Sequence, residues 1–232
     1  MNAFVKLLQV LLIFAGAIWA LLKMAGLALQ YKPGTRKSLA KDLNQLRQLL
    51  GELKERPVAL KNKDLGLLRR KLDVREAKDK KRFVIRAGVL KTIYDEPVVL
   101  FALKYYPRSK VGLLLAKTAH NELLFHTTPE LIRVYVDNQM VGEMSPEGTY
   151  FDPTTNQIVA YMRREGDDRA IMIGNREAAV FDASAQEMRY PARAFKHVAP
   201  LGKDEFAPFV IMTLYDILLS PMFKEKKSTA EK

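Results

Sequence analysis

A chain of 232 residues that is 48% hydrophobic, 28% charged and free of cysteine suffices for one well-buried domain with attachments and is too apolar to be disordered. The missing cysteine excludes disulfide scaffolds, thiolate metal sites, iron–sulfur clusters and thiol nucleophiles. The formal charge of +12 is unevenly spread: residues 32–86 hold eighteen Lys/Arg against seven Asp/Glu, and residues 87–232 eighteen against nineteen, so the excess lies outside the domain on which a nucleic-acid binder would carry it.

The first element is apolar. Residues 7–22 read LLQVLLIFAGAIWALL, with Gln9 the one polar member. Counted from Phe4, or continued to Leu29, the run reaches the roughly 20 residues that cross about 30 Å of hydrocarbon. A transmembrane anchor is expected over residues 1–31, with Leu11, Ile13, Phe14, Ile18, Trp19 and Leu22 against lipid and Lys6 and Lys23 snorkelling at its ends. The rival reading is a cleaved secretory signal, since Gly26 and Ala28 are small; the long apolar core and the intervening Lys23 argue against it. A buried core helix fits poorly beside so charged a neighbour. The charge excess on the C-terminal flank places that flank, and the rest of the chain, in the cytoplasm.

Residues 32–82 predict a basic helical connector. Ser38 is the expected N-cap, and Leu39, Leu43, Leu46, Leu50 and Leu53 follow at spacings of four and three, a seam that Pro57 ends. A second helix is expected in DLGLLRRKLDVREAKDKKR, with Leu65, Leu68 and Leu72 on one face. Three uses remain open: a helical hairpin packed on itself or on the domain, a basic surface on anionic lipid, or pairing with a partner or a second copy through the seam. The residues assigned to the lipid surface are Lys32, Arg36, Lys37, Lys41, Arg69, Arg70, Lys71, Lys80, Lys81 and Arg82.

From residue 83 the period changes to alternation, and turn residues recur every 8 to 12 positions, the pattern of an antiparallel β-domain over 83–222 with nearer ten strands than twelve. IRVYVDNQMVGEM is a hairpin turning at Asp137 and Asn138. Further strands join at Asp152-Pro153, Gly166-Asp167 and Gly174-Asn175. PVVLFALKYY, KVGLLLAKT and NELLFHTT have strand length, although residues 98–115 also allow a helix. The closing element runs from Phe206 to Leu219 and is apolar on almost every side, with Phe206, Phe209, Val210, Met212, Leu214, Ile217 and Leu218 as its core-facing set. Interrupted by Asp216, it is too short to span a bilayer and must be covered all round by protein. Pro208 is placed in its first turn and Ser220-Pro221 at its stop. A disordered tail over 223–232 completes the chain.

This fold class, mainly β with an N-terminal transmembrane helix, a basic connector and an antiparallel barrel or curved meander around a C-terminal apolar helix, resembles the tubby-like C-terminal and phospholipid-scramblase superfamily over roughly residues 85–220. The resemblance rests on VYVDNQMVGEM, DPTTNQIVAYMRRE and the apolar helix flanked by Asp204 and Asp216. It implies a barrel of about a dozen strands around the helix, with phosphoinositide binding, membrane association or lipid scrambling as the family's activities. The anchor here is N-terminal, no cysteine can be acylated, and neither the scramblase calcium-binding run nor the phosphoinositide-binding basic pair is present, so the resemblance assigns no functional residue.

No catalytic constellation emerges. His120 and His126 lack a third ligand at metal spacing, His197 stands alone, Asp167 and Asp168 read as a turn, and Ser145 and Ser184 lack a nucleophile-elbow context. Arg163 and Arg164 suit either a solvated turn or an anionic headgroup. The expectation is a non-enzymatic, single-pass module binding anionic lipid headgroups or protein partners at the cytoplasmic membrane surface, without cofactor, metal or nucleic acid. The alternative is an accessory subunit of a larger membrane complex, docked through its transmembrane helix and leucine seam.

Overall fold

A computed structural model describes residues 33–80, 82–166, 168–182 and 192–224. The transmembrane anchor, Lys32, Lys81 and most of the expected tail lie outside the described residues. The chain divides into two compact units, residues 1–41 and 42–232. In the first, Thr35 rather than Ser38 caps the helix. The Thr35 hydroxyl accepts the Ser38 N–H at 3.4 Å and the Thr35 carbonyl accepts the Leu39 N–H at 2.9 Å, so α1 (Arg36–Glu52) begins three residues earlier than expected. It ends before Pro57, at a turn in which Lys54 takes a φ of 53°.

The second unit is an antiparallel sheet of twelve strands, not ten, in chain order: β1 (Asp73–Lys80), β2 (Phe83–Lys91), β3 (Pro97–Tyr106), β4 (Val111–Lys117), β5 (Glu122–Thr127), β6 (Ile132–Val136), β7 (Gln139–Met144), β8 (Thr149–Phe151), β9 (Ile158–Glu165), β10 (Asp168–Ile173), β11 (Arg176–Phe181) and β12 (Phe195–Val198). The expected hairpin joins β6 to β7, with Asp137 and Asn138 at φ of 48° and 67°, the left-handed pair that matches strand twist. Residues 98–115 form β3 and β4 and no helix.

These two strands read as continuous apolar runs because both of their faces are covered. On the inner face Phe101, Leu103 and Tyr105 of β3 and Leu114 and Ala116 of β4 join the main core. On the outer face Leu100, Ala102, Leu113 and Leu115 are also buried, and there Lys104 of β3 donates from Nζ to the Asp42 carboxylate at 2.6 Å and to Gln45 Oε1 at 2.8 Å of α1. Tyr106 completes the attachment, donating its hydroxyl to Asp42 at 2.9 Å. Leu46, Leu49 and Leu50 of α1 are buried, Leu43 and Leu53 half-buried, so the seam is used within the chain.

The expected second helix is absent. Asn62–Leu67 is a single 3-10 turn and the charged stretch after it is β1, exposed along most of its length. Leu65 and Leu68 enter the core, which gives the sequence its helix-like spacing. The backbone between these two segments is committed elsewhere: Arg69 N–H donates to the Lys91 carbonyl at 2.9 Å beside β2, and Ala194 N–H to the Leu68 carbonyl at 2.6 Å ahead of β12. Leu68–Arg70 thus links the end of β2, next to the first strand, to the segment that leads into β12.

The C-terminal helix lies in the core. It comprises α2 (Lys203–Leu214), a π-helical turn (Tyr215–Leu219) and α3 (Ser220–Lys224). Phe209, Met212, Leu214, Ile217 and Leu218 are buried, with Phe206 and Val210 packed at the margin. Pro208 falls in the second turn, not the first, and Ser220-Pro221 does not stop the helix. Pro221 has no N–H for the carbonyl four residues back, and the chain accommodates it by widening the preceding turn, in which the Ser220 N–H reaches the Tyr215 carbonyl. The helix over Lys203–Phe223 is therefore 21 residues and, contrary to expectation, long and apolar enough to cross a membrane by length and composition, although 61% of its most apolar 18-residue stretch is buried inside the fold. It meets strands from several sides: Tyr215 donates its hydroxyl to the Pro146 carbonyl between β7 and β8 at 2.6 Å, Phe209 stacks on Phe195 of β12 at 5.4 Å, and Phe223 meets Tyr105 of β3 edge-on at 5.9 Å.

Candidate functional site

Of the residues assigned to a lipid surface, Arg36, Lys37, Lys41, Lys71, Lys80 and Arg82 are exposed, and Lys32 and Lys81 lie outside the described residues. Arg69 is turned aside, its guanidinium donating to Asp95 at 3.0 Å with the side chain 14% exposed. Arg70 is not a surface residue. It is buried, with its guanidinium 3.9 Å from Asp216 and donating to the Asp182 carbonyl at 3.2 Å.

Asp216 is the charged centre of the core. Its side chain has no exposed surface, and Arg169 of β10 donates to it at 2.7 Å. Both guanidiniums lie over the Phe181 ring, 5.5 Å away for Arg70 and 5.7 Å for Arg169, so cation–π attraction supplements the ion pairs. The arrangement brings the linking segment, β10 and the π-helical turn to one carboxylate. Its chemistry is structural: pairing and hydrogen bonds offset the desolvation of three charges.

Among the described residues, a small cleft and a larger groove open at the surface. An apolar cleft of about 120 Å³ lies where α2 begins, between Phe206, Ala207 and Val210 on the helix and Val98, Leu123 and Val136 on the strands, with His120 and Asn121 at its mouth. The larger site is a groove of about 530 Å³ between the 3-10 turn, through Asn62, Lys63 and Gly66, and Arg193 with Lys196–Pro200 along β12. Its walls are fixed to each other. Asn62 donates its amide to the Leu201 carbonyl at 2.6 Å, and Arg193 forms a backbone bridge with Arg69. The lining holds four basic side chains, Lys63, Arg193, Lys196 and His197, and no carboxylate. Lys196 is paired with Asp168 at 2.8 Å.

The expected absence of a histidine metal site concerns residues the structure sets apart. His126 lies on β5 and His120 in the turn before it. Burial, reinforced by the Arg133 charge, pushes the His126 imidazole below its usual range. Among the described residues no group of three or more His, Asp or Glu side chains could hold a metal ion. Arg163 pairs with Glu177 at 2.5 Å. Sequence reasoning missed both the Asp216 cluster and the basic groove, because their members come from segments far apart in the chain and share no local spacing. The chain matches no family model, no curated protein and no solved structure.

Proposed function

We propose that this chain is a single-pass, membrane-anchored, non-enzymatic module whose β-domain meets anionic lipid headgroups at the cytoplasmic face of a bilayer. The observation that carries the reading is the order of segments: an apolar run of spanning length, then eighteen Lys/Arg against seven Asp/Glu, then a domain with eighteen against nineteen. Juxtamembrane cations each contribute about 1 kcal/mol at an anionic surface, and tethering raises the effective concentration of the domain there, so weak contacts suffice. The burial of Leu46, Leu49 and Leu50 favours lipid contact over docking of a partner on the seam.

The sheet is read further as a barrel-like wall around the C-terminal helix, in keeping with the superfamily resemblance. Two features support this: the backbone bonds of Leu68–Arg70 toward both ends of the meander, and helix contacts drawn from β3, the β7–β8 turn, β10 and β12.

Protease added to intact and then to opened cells tests the placement. Digestion of the β-domain only after opening is expected; digestion from outside overturns it. Lipid contact is tested on the full chain reconstituted in phosphatidylcholine vesicles with or without one mole in five of phosphatidylserine. Phosphatidylserine should slow amide exchange across residues 71–82, and high salt should reverse the effect. Equal exchange in both membranes overturns the lipid assignment.

A further inference from the structure

The groove between the 3-10 turn and β12 gathers cations from two parts of the chain. Lys63 comes from the basic segment 32–86, whereas Arg193 and Lys196 come from residues 87–232, which hold one more acid than base and in which cations of the sheet such as Arg133, Arg163, Arg169 and Arg176 are each paired with a carboxylate. Within the groove the pattern is reversed. Lys63 and Arg193 are exposed, and among the described residues neither has an ion-pair partner; Lys196 has its single partner outside the lining. Like charges gathered along one cleft repel one another, and an anion bound between them removes that repulsion.

The groove is also pre-formed. The Arg193 backbone is held by its bridge to Arg69 and by the neighbouring bonds at Ala192 and Ala194, while the opposite wall is tied down through Asn62. A volume of about 530 Å³ lies within the range of small-ligand sites. An arginine fork, an ammonium point charge, an imidazole and the Asn62 amide edge together suit an oxyanion with several acceptor oxygens.

From this we propose that the groove binds a phosphate-bearing anion, with Lys63 and Arg193 as its principal contacts and His197 beside them. The phosphate belongs either to a lipid headgroup or to a soluble phosphate ester. The lipid arm of the test rests on the membrane-surface reading above; the groove chemistry does not.

The test titrates the full chain in neutral detergent, by calorimetry, with glycerol 3-phosphate and separately with micellar short-chain phosphatidic acid. Binding of either ligand is expected, with slowed amide exchange at residues 62–66 and 195–199. The Lys63→Gln, Arg193→Gln double variant should bind about tenfold more weakly or worse, the loss of two charge-assisted contacts, with an unchanged melting curve. Lys63→Arg should remain within about threefold of wild type, because charge is conserved there and the Arg193 fork is kept. Binding of both ligands assigns the phosphate itself, binding of phosphatidic acid alone assigns a lipid, and binding of glycerol 3-phosphate alone assigns a soluble ester. No binding of either ligand, or equal binding by the glutamine variant, overturns the proposal. In that event Lys71→Gln, Lys80→Gln and Arg82→Gln variants in phosphatidylserine vesicles still decide the membrane-surface reading by themselves.

Discussion

Substituting Asp216 with alanine removes the carboxylate that two buried guanidiniums share. The Asp216 side chain is fully buried, and Arg70 and Arg169 are 6% and 17% exposed. Without Asp216, Arg70 retains the Asp182 carbonyl and the Phe181 ring, neither of which neutralises a charge. Breaking a buried pair from one side costs about 3–5 kcal/mol. In a domain of this size each kcal/mol lowers Tm by roughly 2–4 °C, so a fall of about 6–20 °C is expected. Urea unfolding of the full chain in neutral detergent, followed by circular dichroism, measures the change. A control separates charge from shape: Arg70→Met, Arg169→Met and Asp216→Leu combined should be clearly more stable than Asp216→Ala, because no unpaired charge remains. If Asp216→Ala loses less than about 1 kcal/mol, an exposed-pair value, the cluster does not hold the core as argued.

Gly142→Ala would place a methyl carbon 2.2 Å from the Tyr150 ring, whose hydroxyl is anchored on the Val141 carbonyl at 2.9 Å. The expected loss is about 1–3 kcal/mol by thermal melting, partly restored by Tyr150→Leu. Lys104→Met removes the cation paired with the buried Asp42 carboxylate and leaves it the Tyr106 hydroxyl, which carries no charge; a loss of about 3 kcal/mol is expected, with amide exchange in residues 42–52 accelerated more than in β9–β11. The Glu205 carboxyl is lowered to about 2 by hydrogen bonds from Arg176 and then from the Gly202 N–H. Because its folded value is depressed, the stabilisation is complete above the ordinary carboxylate range and disappears as pH falls toward 2. Wild type and Glu205→Gln should therefore differ in urea midpoint at pH 6 and converge near pH 2. A constant difference across that window would show that the titration is not the cause.

Much of the sheet was legible because alternation and turn chemistry agree. Asp137 and Asn138 marked the β6–β7 hairpin through their tolerance of positive φ, and the C-terminal helix declared itself by being apolar all round. The doubly buried β3 and β4 lost their alternation and with it the distinction from helix. β1 was unreadable for the opposite reason: exposed on both sides, it has no apolar face to set a period, and its charges imitate a solvated helix. The linking bonds of Leu68–Arg70 are made by backbone groups, which leave no mark in side-chain pattern. At the site, Asp216 was visible as an interruption of an apolar run, but its partners at Arg70 and Arg169 could be identified only after the strands had been placed. Lys63 and Arg193 meet for the same reason, through a fold that joins segments 130 positions apart.

The position of the core helix after all twelve strands has a consequence during synthesis. A ribosome releases β1 to β11 before the residues that fill their interior have emerged, so the nascent sheet exposes Phe101, Leu114 and Phe125 while Asp216 and Tyr215 are still inside the exit tunnel. Hairpins between neighbouring strands can form early, since they are local, but the hydrophobic interior is complete only once the helix has emerged. Such a polypeptide depends on chaperones over that interval. A stop codon that removes the final thirty residues would yield an aggregate, not a shortened version of the protein.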